Sequence, residues 1–257
     1  MITFGIITTK DTSHHLSKVI SSILSQNILT FEIIVIGGYP LDNPLIKWYD
    51  FDENIKKGWI TKKKNMITNL ASYPIIVYTH DYLIFHPNWY SEFTKFNNDW
   101  DILMNRIETL NNDRAIDWMG LPYDNKYGNV LLPYDYTNVR GMYIPGNFWI
   151  AKKEFMLKNL LDETLSWGEA EDIEWSKRVL GGNSDKNEWL RNLTHKSLDE
   201  EIDESFITTV YKCNSNMIVK YCKPIYLSKC FYETYDKHSG NNSRNSHNTY
   251  EYLKYRN

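Results

Sequence analysis

The first 38 residues constrain the fold more than any other stretch. Residues 2–8 (ITFGIIT) are a short apolar, β-branched run, suited to a buried strand and too short for a typical helix. In the segment that follows, Leu16, Val19, Ile20, Ile23 and Leu24 recur at helical spacing, and Thr12 or Ser13 is placed to cap the start. Residues 31–36 (FEIIVI) are a second continuous apolar strand, closed by Gly37 and Gly38. A buried strand, an amphipathic helix and a second buried strand make a βαβ unit. Its two strands must run parallel, because only a crossover connection of this length links neighbours in that sense.

The pattern repeats more loosely. Residues 62–73 read as a helix with Met66, Ile67 and Leu70 inward, and residues 74–78 (PIIVY) as a third buried strand. Ligands in open α/β sheets lie outside the carboxyl ends of the strands. Attention therefore falls on Thr8-Thr9, Gly37-Gly38 and Thr79-His80-Asp81. Beyond residue 99 the text changes to Asn, Asp, Tyr, Trp and Pro, read as an irregular, aromatic-rich excursion to residue 140. Residues 141–151 (GMYIPGNFWIA) return to strand-like material, and residues 167–180 read as a helix stopped by Gly181-Gly182. An acidic stretch, DEEIDE, occupies residues 199–204. Residues 238–249 are polar and read as mobile, before a short aromatic terminal helix.

Composition excludes several classes. A charged fraction of 24% beside 42% hydrophobic residues excludes wholesale disorder. A net charge of −3 argues against gripping nucleic acid or anionic lipid through bulk charge. The three cysteines (Cys213, Cys222, Cys230) lack C-x-x-C spacing and suit a reducing compartment better than a disulfide scaffold. No apolar run approaches a membrane span and no signal peptide is evident, so the expected location is cytoplasmic. There is no Walker A sequence, G-x-G-x-x-G, G-x-S-x-G or metal-finger spacing. The 15% aromatic content, with 9 Trp and 19 Tyr, suggests surfaces that stack on ring-shaped ligands.

Three clusters could carry chemistry. Asp81, in Thr79-His80-Asp81-Tyr82, leaves the sheet where a carboxylate could hold a divalent cation against a diphosphate, or simply form a turn. The segment WGEAEDIEW (residues 167–175) puts Glu169, Glu171, Asp172 and Glu174 in or before the first turns of a helix. Such acids complement the helix dipole, and Glu174 can pair with Arg178; one of them could equally be a general base. Lys62-Lys63-Lys64-Asn65 is either a solvated charge run or a source of one lysine near phosphate oxygens.

Order and spacing join these clusters. The series IITT, SILSQ, FEIIVIGG, KKKN, VYTHDY, GNFWIAKKEF and WGEAEDIEWSKR resembles the inverting glycosyltransferases of the GT-A fold, specifically family 2 and its relatives. The resemblance runs from Ile2 to about Leu180. It implies an α/β, GT-A-type single domain: a Rossmann-like, mainly parallel central sheet flanked by helices, with an irregular acceptor-side region. Residues 1–98 would form the nucleotide-sugar-binding half. Residues 99–257 would form the acceptor-side half, with the catalytic helix and a C-terminal extension.

The resemblance also assigns roles. The family's Asp-x-Asp metal motif falls on Thr79-His80-Asp81, so Asp81 alone is left to reach Mn²⁺ or Mg²⁺, with His80 able to supplement it. The family's catalytic base falls on Asp172, with Glu171 second. Thr8, Thr9, Lys64, Asn65 and His80 match positions lining the nucleotide-sugar pocket. Gly37-Gly38 stand where family 2 commonly carries a base-contacting Asp, and Asp52 is taken as the replacement. Trp167, Gly168 and Glu169 would form a platform for acceptor or sugar. The implied activity is inverting transfer from a nucleotide diphosphate sugar, foremost a UDP-sugar, to a hydroxyl of a glycan, lipid-linked or protein acceptor. The alternative is a glycosyltransferase-like sugar- or nucleotide-binding module that has lost catalysis, as the missing first acid allows. A sugar-phosphate nucleotidyltransferase would need a glycine-rich basic loop after the first strand, and ITTKDTSHH is not one.

Overall fold

The computed structural model describes residues 1–120, 130–136, 142–179, 209–224, 227–231 and 249–252. The predicted βαβ unit is β1 (Ile2–Ile7), α1 (Leu16–Leu24) and β2 (Phe31–Ile36), followed by β3 (Ile46–Tyr49), α2 (Ile60–Leu70) and β4 (Ile75–His80). Then come β5 (Leu83–Phe85), α3 (Trp89–Lys95), β6 (Ile102–Glu108), β7 (Met119–Gly120), β8 (Val130–Leu131) and β9 (Met142–Tyr143). The remainder is β10 (Phe148–Lys152), α4 (Lys153–Lys158), α5 (Glu171–Val179), β11 (Tyr211–Tyr221), β12 (Leu227–Phe231) and β13 (Thr249–Tyr252).

Eight strands form one sheet in the order β3-β2-β1-β4-β10-β6-β11-β5. The pairs β2·β3, β1·β2, β1·β4 and β6·β11 are parallel. β10 runs antiparallel to both its neighbours, and β5 antiparallel to β11. This is the mainly parallel, helix-flanked sheet that the first 80 residues imply. Small sheets β8-β7-β9 and β12-β13 stand apart from it.

Strand alternation assigns the two faces. Phe4 and Ile6 of β1 pack with Leu16, Val19, Ile20 and Ile23 of α1. Ile7, Ile34, Ile36, Ile76 and Tyr78 pack on the other face with Ile60 and Ile67 of α2 and Trp175 of α5. Both faces are covered, which is why these strands read as continuous apolar runs rather than alternating ones. Gly5 is the point of closest helix–sheet approach: a Cβ there would lie 2.3 Å from Ile67 Cγ2.

Several expectations need correction. The first helix is entered through a 3-10 turn at Ser13–His15, without a side-chain cap. Thr12 Oγ1 is instead taken by the backbone N–H of Thr9 at 3.3 Å. The stretch from residue 99 is not irregular throughout, since β6 lies inside the main sheet and buries Ile102, Leu103, Met104 and Asn105. Asn105 and Arg106 interrupt its apolar text; Arg106 pairs with Glu108 at 2.8 Å. The aromatic terminus at residues 249–252 is a strand, not a helix. The Gly181-Gly182 stop, the acidic stretch at 199–204 and the polar stretch at 238–248 lie outside the described residues.

Gly5→Ala is expected to lower stability by about 1–3 kcal/mol, because the added methyl overpacks the α2–β1 contact. The denaturation midpoint measures this, with unchanged far-UV circular dichroism showing that the fold is retained.

Candidate active site at the carboxyl ends of β1 and β4

Thr8 and Thr9 follow β1 directly, and Asp81 follows β4. Thr8 Oγ1 donates to Asp81 Oδ2 at 2.6 Å, tying the two strand ends together. Thr9 is held by Thr12, with their hydroxyl oxygens 3.0 Å apart. Asp81 is 2% exposed, and burial raises its pKa against the lowering by hydrogen bonds from Thr12 and Thr8. Gly37 explains why no acid stands after β2. Its φ is +90°, and a Cβ there would lie 2.4 Å from the Thr8 carbonyl oxygen, so any side chain would break the approach of the two loops.

The lysine run is not a solvated face. Lys63 and Lys64 are each 2% exposed. The Lys63 ammonium donates to the Thr8 carbonyl at 2.7 Å and to the Glu53 carboxylate. It also lies 4.8 Å from the centre of the Phe51 ring. Burial lowers its pKa, partly offset by Glu53. Lys64 turns to the other side of the strand ends, donating to the Gly146 carbonyl at 2.6 Å above the Trp149 ring.

Gly146 brings the acidic helix to this place. Its N–H donates to Asp172 Oδ2 at 2.9 Å, and its carbonyl also accepts from His80 Nε2 at 3.2 Å. His80 therefore carries its proton on Nε2 toward a carbonyl. Burial and then Lys64 push its pKa well below the ordinary value, so it is neutral. Asp172 Oδ1 accepts from the Ile173 N–H at 2.9 Å. Ser176 Oγ donates to the Asp172 carbonyl at 2.6 Å and accepts from the Ile144 N–H at 2.8 Å, locking the 144–146 segment to α5. Glu171 is 5% exposed. Burial, then the Asp172 charge, raise its pKa to about 7 against the pull of Lys64. Burial likewise raises Asp172 and lowers Lys64 to about 8.

The structure thus groups Thr8, Thr9, His80 and Asp81 at the strand ends and connects them, through His80 and Gly146, to Lys64, Glu171 and Asp172. It separates two other predicted residues from them. Asn65 is used up holding a loop: Nδ2 donates to the Leu161 carbonyl at 2.9 Å and to Glu163 Oε1 at 3.0 Å, while Oδ1 accepts from the Leu161 N–H at 3.0 Å. Asp52 is exposed and folds onto its own turn, accepting from the Asn54 N–H at 2.9 Å. The acid that reaches inward from that segment is Glu53. Residues 56–65 also hold the platform segment. Thr61 Oγ1 donates to the Leu165 carbonyl at 2.6 Å, and the Trp167 N–H to the Gly58 carbonyl at 2.8 Å. Trp167 is 54% exposed, which sets aside core packing and leaves an outward-facing ring. Gly168 has φ +83° with nothing within 4 Å of its Cβ position, and Glu169 Oε2 accepts from the Ser166 N–H at 2.7 Å.

Sequence reading missed Lys63, Glu53 and Gly146. For Lys63 a signal exists: in the helix it lies four positions before Ile67 and three after Ile60, on the buried stripe. Gly146 carries no such signal, because its role is carried by backbone atoms.

Among the described residues no group of three or more His, Cys, Asp or Glu side chains converges as a protein-only metal site. Asp81 by itself is compatible with a hard cation that arrives on a diphosphate, since Mg²⁺-type ions are held by one or two carboxylates plus phosphate oxygens.

No protein-family model matches the sequence, and no curated protein does. Among solved structures, GalNAc-T7 with UDP, GalNAc and Mn²⁺ superposes with a TM-score of 0.60 at 12% identity, over 86% of this chain and 43% of that one. S. aureus TarS superposes at 0.49, with 12% identity over 69% of this chain and 33% of that one. The chain therefore spans less than half the length of either. At such identities the likeness is one of fold, and the chain has the GT-A glycosyltransferase fold.

Between about pH 4.5 and about pH 7 the folded chain retains a proton at Glu171 that the unfolded chain has released, so stability falls as pH rises through this window. Chemical denaturation across that range is expected to show the decline in the wild-type chain and a shallower one in Glu171→Gln.

Proposed function

We propose that the protein is an inverting glycosyltransferase, moving a sugar from a nucleotide diphosphate sugar, foremost a UDP-sugar, to an acceptor hydroxyl. The observation that carries this reading is the connection through Gly146 of the Asp81 strand end to the carboxylate pair of α5. A donor crevice outside parallel strand ends and a fixed base beside it are the two elements such a transfer requires. The GT-A fold and a structural neighbour solved with UDP, GalNAc and Mn²⁺ support the donor class.

The donor diphosphate lies against Thr8, Thr9 and Asp81, with the Lys63 ammonium one carbonyl away behind Thr8. Asp81 would hold the divalent cation, which when bound supplies positive charge to the departing diphosphate. Asp172 takes the proton of the acceptor hydroxyl. The acceptor oxygen forms its bond to the anomeric carbon as the bond to the diphosphate oxygen breaks from the opposite face. The electron pair leaves with the nucleotide diphosphate, and configuration inverts. Asp172 suits the base role better than Glu171, because both its oxygens are oriented by backbone N–H groups. Trp167 offers a flat apolar face to a sugar ring.

The reading is tested by thermal shift with nucleotide diphosphates and their sugars, with and without Mn²⁺. A ligand at 100 times its dissociation constant raises stability by about 2.7 kcal/mol. No response to any nucleotide, or a response without turnover of any nucleotide sugar, would remove the enzymatic reading and leave at most the binding module. Asp172→Asn retains an oxygen for the Gly146 N–H while losing the base. It is expected to cut transfer by about 10²-fold or more with nucleotide affinity retained; undiminished turnover would transfer the role to Glu171.

A further inference from the structure

We propose that Lys64 is a positioning residue for the acid pair, gripping the Gly146 carbonyl so that the Gly146 N–H fixes Asp172 and placing a buried cation beside Glu171 and Asp172. This rests on the reading of that pair as the working acids of the site, and it takes Lys64 away from the nucleotide role that its sequence position suggests.

The geometry is unusual for a lysine. The side chain is 2% exposed, and the contact that seats its ammonium is a carbonyl rather than a carboxylate. An ammonium withdrawn from water toward one neutral acceptor is costly unless opposite charge lies close by. Glu171 and Asp172 supply that charge, and both act to restore the pKa that burial depresses. The influence is mutual, since Lys64 lowers both Glu171 and Asp172. Glu169 also raises Glu171, and Lys64 in turn helps keep the neighbouring His80 neutral.

Gly146 is built for the arrangement. A Cβ there would lie 3.2 Å from Glu171 Oε1 and 3.4 Å from Asp172 Oδ2, so the backbone is in close contact with both acids. With its carbonyl held by Lys64 and His80 and its N–H by Asp172, the residue is fixed at both polar atoms. A donor-binding lysine would need its ammonium turned toward the strand ends, where Lys63 already sits.

Carbon-13 NMR titration of side-chain carboxyl groups and lysine Cε carbons, on the intact protein, separates these roles. In Lys64→Met the midpoint of the Glu171–Asp172 pair is expected to rise by about one pH unit or more, because an adjacent cation lowers a carboxyl pKa by about that amount. An unchanged midpoint overturns the proposal. Should Lys64→Met fail to fold, Glu171→Gln decides: the Lys64 midpoint must fall when its neighbouring charge is removed, and an unmoved lysine overturns the proposal. The activity readout is the pH profile of nucleotide-sugar turnover. In Lys64→Met the acid limb of kcat is expected to move upward by the same interval, with KM for the donor unchanged. A rise in KM alone would return Lys64 to donor binding and reject the positioning role. Absence of turnover in the wild-type chain would sink the functional reading, while the titrations would still decide what Lys64 does to the acids.

Discussion

Two lysines and two carboxylates, Asp81 and Glu171, are buried within reach of the carboxyl ends of β1 and β4, with Glu53 and Asp172 partly buried beside them, and buried charge must be matched. That constraint organises the site. Lys63 answers Glu53 and the Thr8 carbonyl, Lys64 answers Gly146 and the acids of α5, and Asp81 is met by Thr8. Apart from Lys63–Glu53, these contacts join segments 55 or more residues apart, so the cost of burying charge also fixes how distant parts of the chain meet. The site is part of the scaffold rather than something placed upon it.

The same economy governs the rim. Asn65, Thr61, Trp59 and Lys62 at the start of α2 all bond to the loop at residues 161–165. One helix therefore contributes buried cations on one side and anchors the platform loop on the other. Trp167 extends outward from that loop while its own N–H is held by Gly58. An exposed ring on an anchored backbone is a low-entropy contact surface.

Much of this was legible in the text of the chain. Continuous apolar runs gave β1, β2 and β4, and strand ends pointed to Thr8 and Asp81. The crowding of acids before a helix pointed to Glu171 and Asp172. What stayed hidden depended on neighbours. Asn65 reads as a polar site residue, yet the 161–163 loop takes up its whole amide. Asp52 and Glu53 are adjacent acids, and only the turn decides which faces inward. β6 was obscured because Asn105 and Arg106 break its apolar run; in the sheet Asn105 is buried while Arg106 stays partly exposed beside Glu108.

By itself, the sequence determined the first βαβ unit, the following helix and strand, and the residue types available at the strand ends, because periodicity and turn chemistry act over a few neighbours. Only the tertiary structure decided that Lys63 and Lys64 are buried, that the first reaches Thr8 and Glu53 while the second reaches Gly146, and that this glycine joins Lys64 to the acids. Those outcomes depend on burial and on backbone atoms brought together from residues 64, 80, 146 and 172. A linear pattern carries no record of either, since desolvation and hydrogen bonding are set by what surrounds a group in space.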